Sequence, residues 1–87
     1  MAKSNTLSFT VPNDLKLKLD AVTHIGHYDS LSEFLRDAIR SLLNNNKHLR
    51  ISIAHHLHKQ KKIPLGKASE IIGDSIHDTK KLFENME

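Results

Sequence analysis

Three groups of side chains in this chain have reactive or ligand-binding potential: its histidines, a short row of hydroxyls and its cations. His55 and His58 are three apart and share a helical face with His48 one heptad earlier, with His56 beside them. Such a cluster suggests metal binding. Ligand histidines, however, ordinarily lean on a nearby carboxylate that orients the ring, and no acidic residue lies close in sequence. The cluster therefore reads as a basic face, solvated or set against phosphate, with no metal and no cofactor; His24, His27 and His77 read as surface residues. Thr6, Ser8 and Thr10 place hydroxyls at alternate positions, where they can touch base edges on one side of an extended segment. Glu33, Arg36 and Asp37 fall on one helix and are expected to form exposed ion pairs of small value. With no glycine-rich phosphate loop, no nucleophile motif and no carboxylate pair framed by a pocket, the chain is not expected to be an enzyme.

The cations are unevenly distributed. Net charge is +3, yet no acidic residue lies between Asp37 and Glu70, a gap that holds Arg40, Lys47, Arg50, Lys59, Lys61, Lys62 and Lys67. Residues 1–37 carry four Lys or Arg against five Asp or Glu, and residues 70–87 carry two against five. A basic block of this kind suits nucleic acid, although a solvated face would have the same composition. One tyrosine and no tryptophan leave few platforms for stacking single-stranded bases, so duplex DNA is the better ligand. There is no cysteine, which excludes disulfides and thiolate zinc sites. No apolar run is long enough to span a bilayer and the start MAKSNT lacks the apolar core of a secretory signal, so a soluble cytoplasmic protein without a membrane partner is expected.

These groups must be positioned by a small number of elements. In TLSFTV, Leu7, Phe9 and Val11 alternate with Thr6, Ser8 and Thr10, the period of a strand with one buried face. No second segment of the 87 residues alternates as well, so the strand is expected to pair with its copy in a homodimer. A two-stranded ribbon fits the major groove, and Lys3 just before it is placed to reach a phosphate. Asn13 or Asp14 is suited to cap a helix running to about Ile25, with Leu15, Leu19 and Val22 on its apolar stripe and Gly26 as a stop. Ser30 and Glu33 read as a capping box for a second helix. Phe34, Leu35, Ala38, Ile39 and Leu42 give that helix an apolar face that should be mostly buried, and Asn44 to Asn46 end it. Leu7, Phe9, Val11, Leu15 and Leu19 join these five as the expected dimer core. The free N–H groups at Ser30, Leu31 and Ser32 are candidates for a DNA phosphate.

The order TLSFTVPNDL, short helix, turn and SLSEFLRDAIRSLL resembles the ribbon-helix-helix repressors of the CopG, Arc and MetJ type, whose second helix commonly reads SRSEFIRDAIR. The resemblance covers roughly residues 5 to 44. It implies an intertwined dimer with paired strands in the major groove, base contacts from Thr6, Ser8 and Thr10, and a phosphate clamp at Ser30, Leu31 and Ser32. Many members carry a basic residue at the position of Thr6 and a basic or small polar one at that of Leu31, so this ribbon would have only hydroxyls for base contact.

Beyond the asparagines, Lys47 to Lys61 can form a helix with Leu49, Ile53 and Leu57 on one side. PLGKASEIIGDS then predicts a short helix from about Gly66 to Ile72, a turn at Gly73 and Asp74, and a last helix capped by Ser75 with Ile76, Leu82, Phe83 and Met86 on its apolar side. Two short helices around a glycine read as a helix-turn-helix. The stretch KIPLGKASEIIG resembles small prokaryotic antitoxin-like proteins carrying an ISLGKAAELAG-type segment, which implies a module that binds a toxin, a second DNA segment or another dimer. The expected protein is mainly α: a ribbon-helix-helix homodimer over 1–46, capable of higher assembly on DNA, with a C-terminal helical module over 47–87. It would act as a repressor on a double-stranded DNA operator. The alternative is an antitoxin that binds a protein toxin through its C-terminal helices and represses its own gene through the N-terminal ribbon.

Overall fold

A computed structural model describes residues 4–87, so Lys3 lies outside the described residues. Five helices account for the regular structure among these residues: α1 (Asn13–His24), α2 (Leu31–Asn44), α3 (Lys47–Lys59), α4 (Leu65–Ile72) and α5 (Ile76–Met86). The chain divides into two units, Met1–Asp37 and Ala38–Glu87, with the division inside α2.

The first unit corrects the expectation of a ribbon. Residues 4–12 form no strand, and the regular structure begins only at Asn13. Alternation makes an extended segment amphipathic, but a strand also needs a partner whose N–H and C=O groups complete a ladder. Every regular segment described in this chain is helical, so TLSFTV has no such partner within it. The ribbon-helix-helix architecture is therefore overturned, and with it the ground for placing Thr6, Ser8 and Thr10 on a paired strand. The helices flanking the expected turn do form, with small differences. Pro12, rather than Asn13 or Asp14, occupies the N-cap of α1 and supplies no side-chain bond. Gly26 follows the helix in the left-handed region at φ 82°, as its role as a stop requires. At the start of α2, Ser30 Oγ accepts the Glu33 N–H at 3.1 Å, which is one half of the predicted capping box.

The second unit has its own core. α4 packs against both α3 and α5. Ala54 of α3, Ala68 and Ile72 of α4 and Phe83 of α5 are buried, flanked by half-buried Ile51, Ile63, Leu65, Ile71 and Leu82. Two buried hydroxyls are satisfied locally, Ser69 donating to the Gly66 carbonyl at 2.7 Å and Thr79 to the Ser75 carbonyl at 2.8 Å. The face of α3 that packs inward is not the one its large residues suggest. Leu49 remains 36% exposed, whereas Ala54 is fully buried. Small side chains at Ala54 and Ala68 let two helices approach closely, which a Leu-lined contact would not allow.

The connections explain why three short helices suffice. Asn46 caps α3 by accepting the Leu49 N–H at 3.0 Å, so α2 and α3 are separate helices broken at the asparagines. α3 ends with the Lys61 N–H on the His58 carbonyl and the Lys62 N–H on the Leu57 carbonyl, both at 2.9 Å. These two bonds form a Schellman motif with a lysine, not a glycine, in the left-handed position at φ 61°. Arg50 joins two helix ends. Its Nη1 donates to the Leu43 and Asn44 carbonyls at 2.8 Å, and its Nη2 to the Ile72 carbonyl at 3.2 Å. The guanidinium thus sits at the negative ends of both α2 and α4.

Candidate functional site

Of the residues expected to read DNA from the N-terminus, Ser8 lines a cleft of the first unit beside Leu7 and Phe9. Thr6, Ser8 and Thr10 are exposed on an irregular segment. Ser30 is engaged as the cap of α2, with Leu31 half-buried and Ser32 exposed behind it. The expected dimer core is largely uncovered. Leu7 is 83% and Phe9 66% exposed; Leu15, Ala38, Ile39 and Leu42 are exposed too, while Val11, Leu19, Phe34 and Leu35 are half-buried. Neither α1 nor α2 contains a buried residue, so the expectation that α2 is mostly buried fails within this chain. In the first unit, Leu7, Phe9, Val11, Leu19, Leu31 and Leu35 line a cleft of about 350 Å³, with the Lys16–Asp20 ion pair (2.9 Å) along its wall. Tyr28 stacks edge-on against Phe34 and donates its hydroxyl to Asp37 at 2.7 Å. That hydrogen bond, which favours the neutral phenol, is the chief cause of a raised Tyr28 pKa.

Two histidines of the cluster, His55 and His58, pack in the fold, while His48 and His56 are exposed. His55 meets Phe83 edge-on with ring centroids 4.9 Å apart, and His58 lies tilted on the same ring at 5.6 Å. The His58 Nδ1 faces the Ile63 carbonyl at 3.1 Å, and a carbonyl can only accept, so this nitrogen donates. His55 Nε2 is 3.3 Å from the Glu87 carboxylate, an acidic neighbour that only the fold brings near.

α4 and α5 are joined by a short capped turn. α4 ends at Ile72, and Gly73 takes the left-handed conformation at φ 90° with its N–H on the Ser69 carbonyl at 2.8 Å. Asp74 follows, held at 2.9 Å by Lys47 from α3. Ser75 then caps α5 by accepting the Asp78 N–H at 3.1 Å. Two helices joined through three residues, one a glycine, match the local pattern of a helix-turn-helix. The buried positions Ala68, Ser69, Ile72, Thr79 and Phe83 hold this pair together and against α3. The expected apolar side of α5 is only partly right. Phe83 and Thr79 point inward, while Ile76 is 55% and Met86 41% exposed.

His77 and Lys81 are exposed on the side of α5 away from Thr79, while Glu84, also exposed, lines a cleft with His58, Leu65, Lys80, Phe83 and Glu87. Charge follows the same division, with residues 38–87 carrying nine Lys or Arg against five Asp or Glu and residues 1–37 four against five.

The chain has a partial similarity to a known protein. It is 34% identical over 62 residues to a UPF0175 protein of Halobacterium salinarum, an alignment covering 71% of this chain and 63% of that protein. The chain thus shares weak homology with a UPF0175 protein and spans less than two thirds of its length. No protein-family model matches the chain, and no solved structure does. Among the described residues, no helix is long and apolar enough to cross a membrane.

Proposed function

We propose that this chain is a double-stranded-DNA-binding transcriptional regulator that acts as a homodimer and contacts DNA through α4–α5 rather than through its N-terminal segment. The observation that supports this reading is the helix-turn-helix pattern of α4 and α5, packed on α3 around a core of their own, with the second unit's positive excess lying before α5, between Arg40 and Lys67. Lys61 and Lys62 in the turn before α4, and Lys67 on α4, are exposed cations beside this element. Homodimerisation is supported by the first unit, whose described apolar residues are exposed or only half-buried. The test is duplex binding followed by fluorescence anisotropy across a range of salt concentrations. Binding should weaken linearly on a log–log scale, with the slope falling by about one for each phosphate-contacting lysine removed among Lys61→Ala, Lys62→Ala and Lys67→Ala. Failure to bind duplex DNA at low salt would refute the reading.

A second reading, an antitoxin, draws on the same uncovered apolar surface and the 350 Å³ cleft, which would then receive a partner protein. Sedimentation equilibrium separates the two. A stable dimer of the isolated chain favours the regulator, and a monomer favours a chain completed by a different protein.

A further inference from the structure

We propose that the cleft between α3, α4 and α5 is a binding site for a free amino acid with an apolar side chain. His58 of α3, Leu65 of α4 and Lys80, Phe83, Glu84 and Glu87 of α5 line it around a volume of about 280 Å³. The four α5 residues recur at helical spacing and so share one stripe of that helix. Phe83, 6% exposed, anchors the stripe in the core, and the three charged side chains beside it border the cleft. The floor is apolar, made by Phe83 and the half-buried Leu65. The site lies wholly within the second unit and is independent of the duplex-DNA reading.

The polar groups of the rim select the guest. His58 Nδ1 donates to the Ile63 carbonyl at 3.1 Å, which leaves Nε2 of the neutral ring as an acceptor with no hydrogen-bond partner among the described residues. Glu87 is shared with His55, whose Nε2 lies 3.3 Å from its carboxylate. Lys80 and Glu84 are four residues apart on α5, yet neither forms an ion pair with the other or with another described residue. A lysine preceding a glutamate at this spacing is the weaker order of such a pair, so both groups stay available. A guest with a single charge meets repulsion here as well as attraction: a carboxylate faces Glu84 and Glu87, and an ammonium faces Lys80. A guest carrying both charges beside an apolar group is attracted by every part of the cleft. Its carboxylate meets Lys80, its ammonium meets Glu84 and His58 Nε2, and its side chain lies on Phe83 and Leu65. In an α-amino acid these three groups radiate from one carbon. A volume just below the roughly 300–1,000 Å³ of pockets for drug-sized molecules suits a ligand this small.

The test is an NMR titration of the full chain with leucine and with two molecules that each lack one of its charges, isopentylamine and isocaproate. Leucine should bind with a dissociation constant of roughly millimolar order, with shifts concentrated at His58, Leu65 and the α5 residues of the cleft. Each singly charged probe should bind roughly two- to five-fold more weakly, the scale of one exposed ion pair. Lys80→Ala should abolish the preference for leucine over isopentylamine, and Glu84→Gln the preference over isocaproate, each variant keeping the other preference. Both positions are exposed, and unchanged thermal unfolding of the two variants shows that the fold is intact. Equal binding of leucine and either probe, shifts centred outside the cleft, or no binding of leucine at roughly ten times the expected constant overturns the assignment. No duplex is present in the titration, so each of these outcomes leaves the DNA reading as it stands.

Discussion

Replacing Arg50 with methionine tests the link between the helix ends of the second unit. The methionine keeps an apolar stem of similar reach but removes the guanidinium and its three hydrogen bonds to Leu43, Asn44 and Ile72. Hydrogen bonds to a charged group contribute about 1.5–3 kcal/mol each when shielded, and exposed ones contribute less. The bonds to Leu43 and Ile72 are partly buried, the second is long at 3.2 Å, and the bond to Asn44 is exposed. Weighted this way, the three sum to about 3 kcal/mol. A unit of this size has a total stability of only a few kcal/mol, at about 0.05–0.15 kcal/mol per residue, so the loss should be large. Thermal unfolding followed by circular dichroism should show Tm lower by roughly 12–20 °C, and urea unfolding a correspondingly lower midpoint. Among the described residues of the first unit none is buried, so the cooperative signal belongs to the second. Arg50→Lys should recover less than half of the loss, because one ammonium cannot reproduce the fork that spans two helix ends. If Arg50→Met unfolds within about 0.5 kcal/mol of the wild type, water replaces the guanidinium without penalty and the linking role is refuted.

Lys61 and Gly73 both hold the left-handed conformation, so substitutions should act with opposite sign: Lys61→Gly is expected to stabilise by about 1 kcal/mol and Gly73→Ala to destabilise by about 1–2 kcal/mol, read by urea unfolding. A Cβ on Gly73 would meet nothing within 4 Å, so that cost is backbone strain alone. Ala54→Leu should destabilise by about 1–3 kcal/mol, because a fully buried alanine at the α3–α4 contact has no room for a larger side chain. Tyr28 is the one tyrosine in a chain without tryptophan, so tyrosinate absorbance reports it directly, and its midpoint should lie above the ordinary value of 10.0 and fall in Asp37→Asn. The neutral phenol is the form that the fold favours, so its contribution to stability is present below the unfolded pKa and is lost as pH rises through the folded one.

Features that depend on a few neighbouring residues were legible in the sequence. The Ser30 cap, the stop at Gly26, the break at the asparagines and the α4–Gly73–α5 sequence with its Ser75 cap all follow from local hydrogen bonding and local φ preferences, which the residues carry wherever the chain goes. The strand at TLSFTV was not determined in this way. Alternation describes an amphipathic extended segment, and a ladder exists only if another backbone lies beside it. Burial was equally non-local. The size of Leu49, Ile53 and Leu57 suggested one face of α3, but the approach of α4 selected the face of Ala54, because close helix packing favours the smallest side chains. That same approach set His55 and His58 against Phe83, brought Glu87 to His55, and placed the Ile72 carbonyl within reach of Arg50. Sequence determined where each helix of the second unit starts and stops, because caps and turns are short-range. Tertiary structure alone decided which side of each helix meets a neighbour and which remains free for a ligand, because packing is chosen among residues distant in the chain.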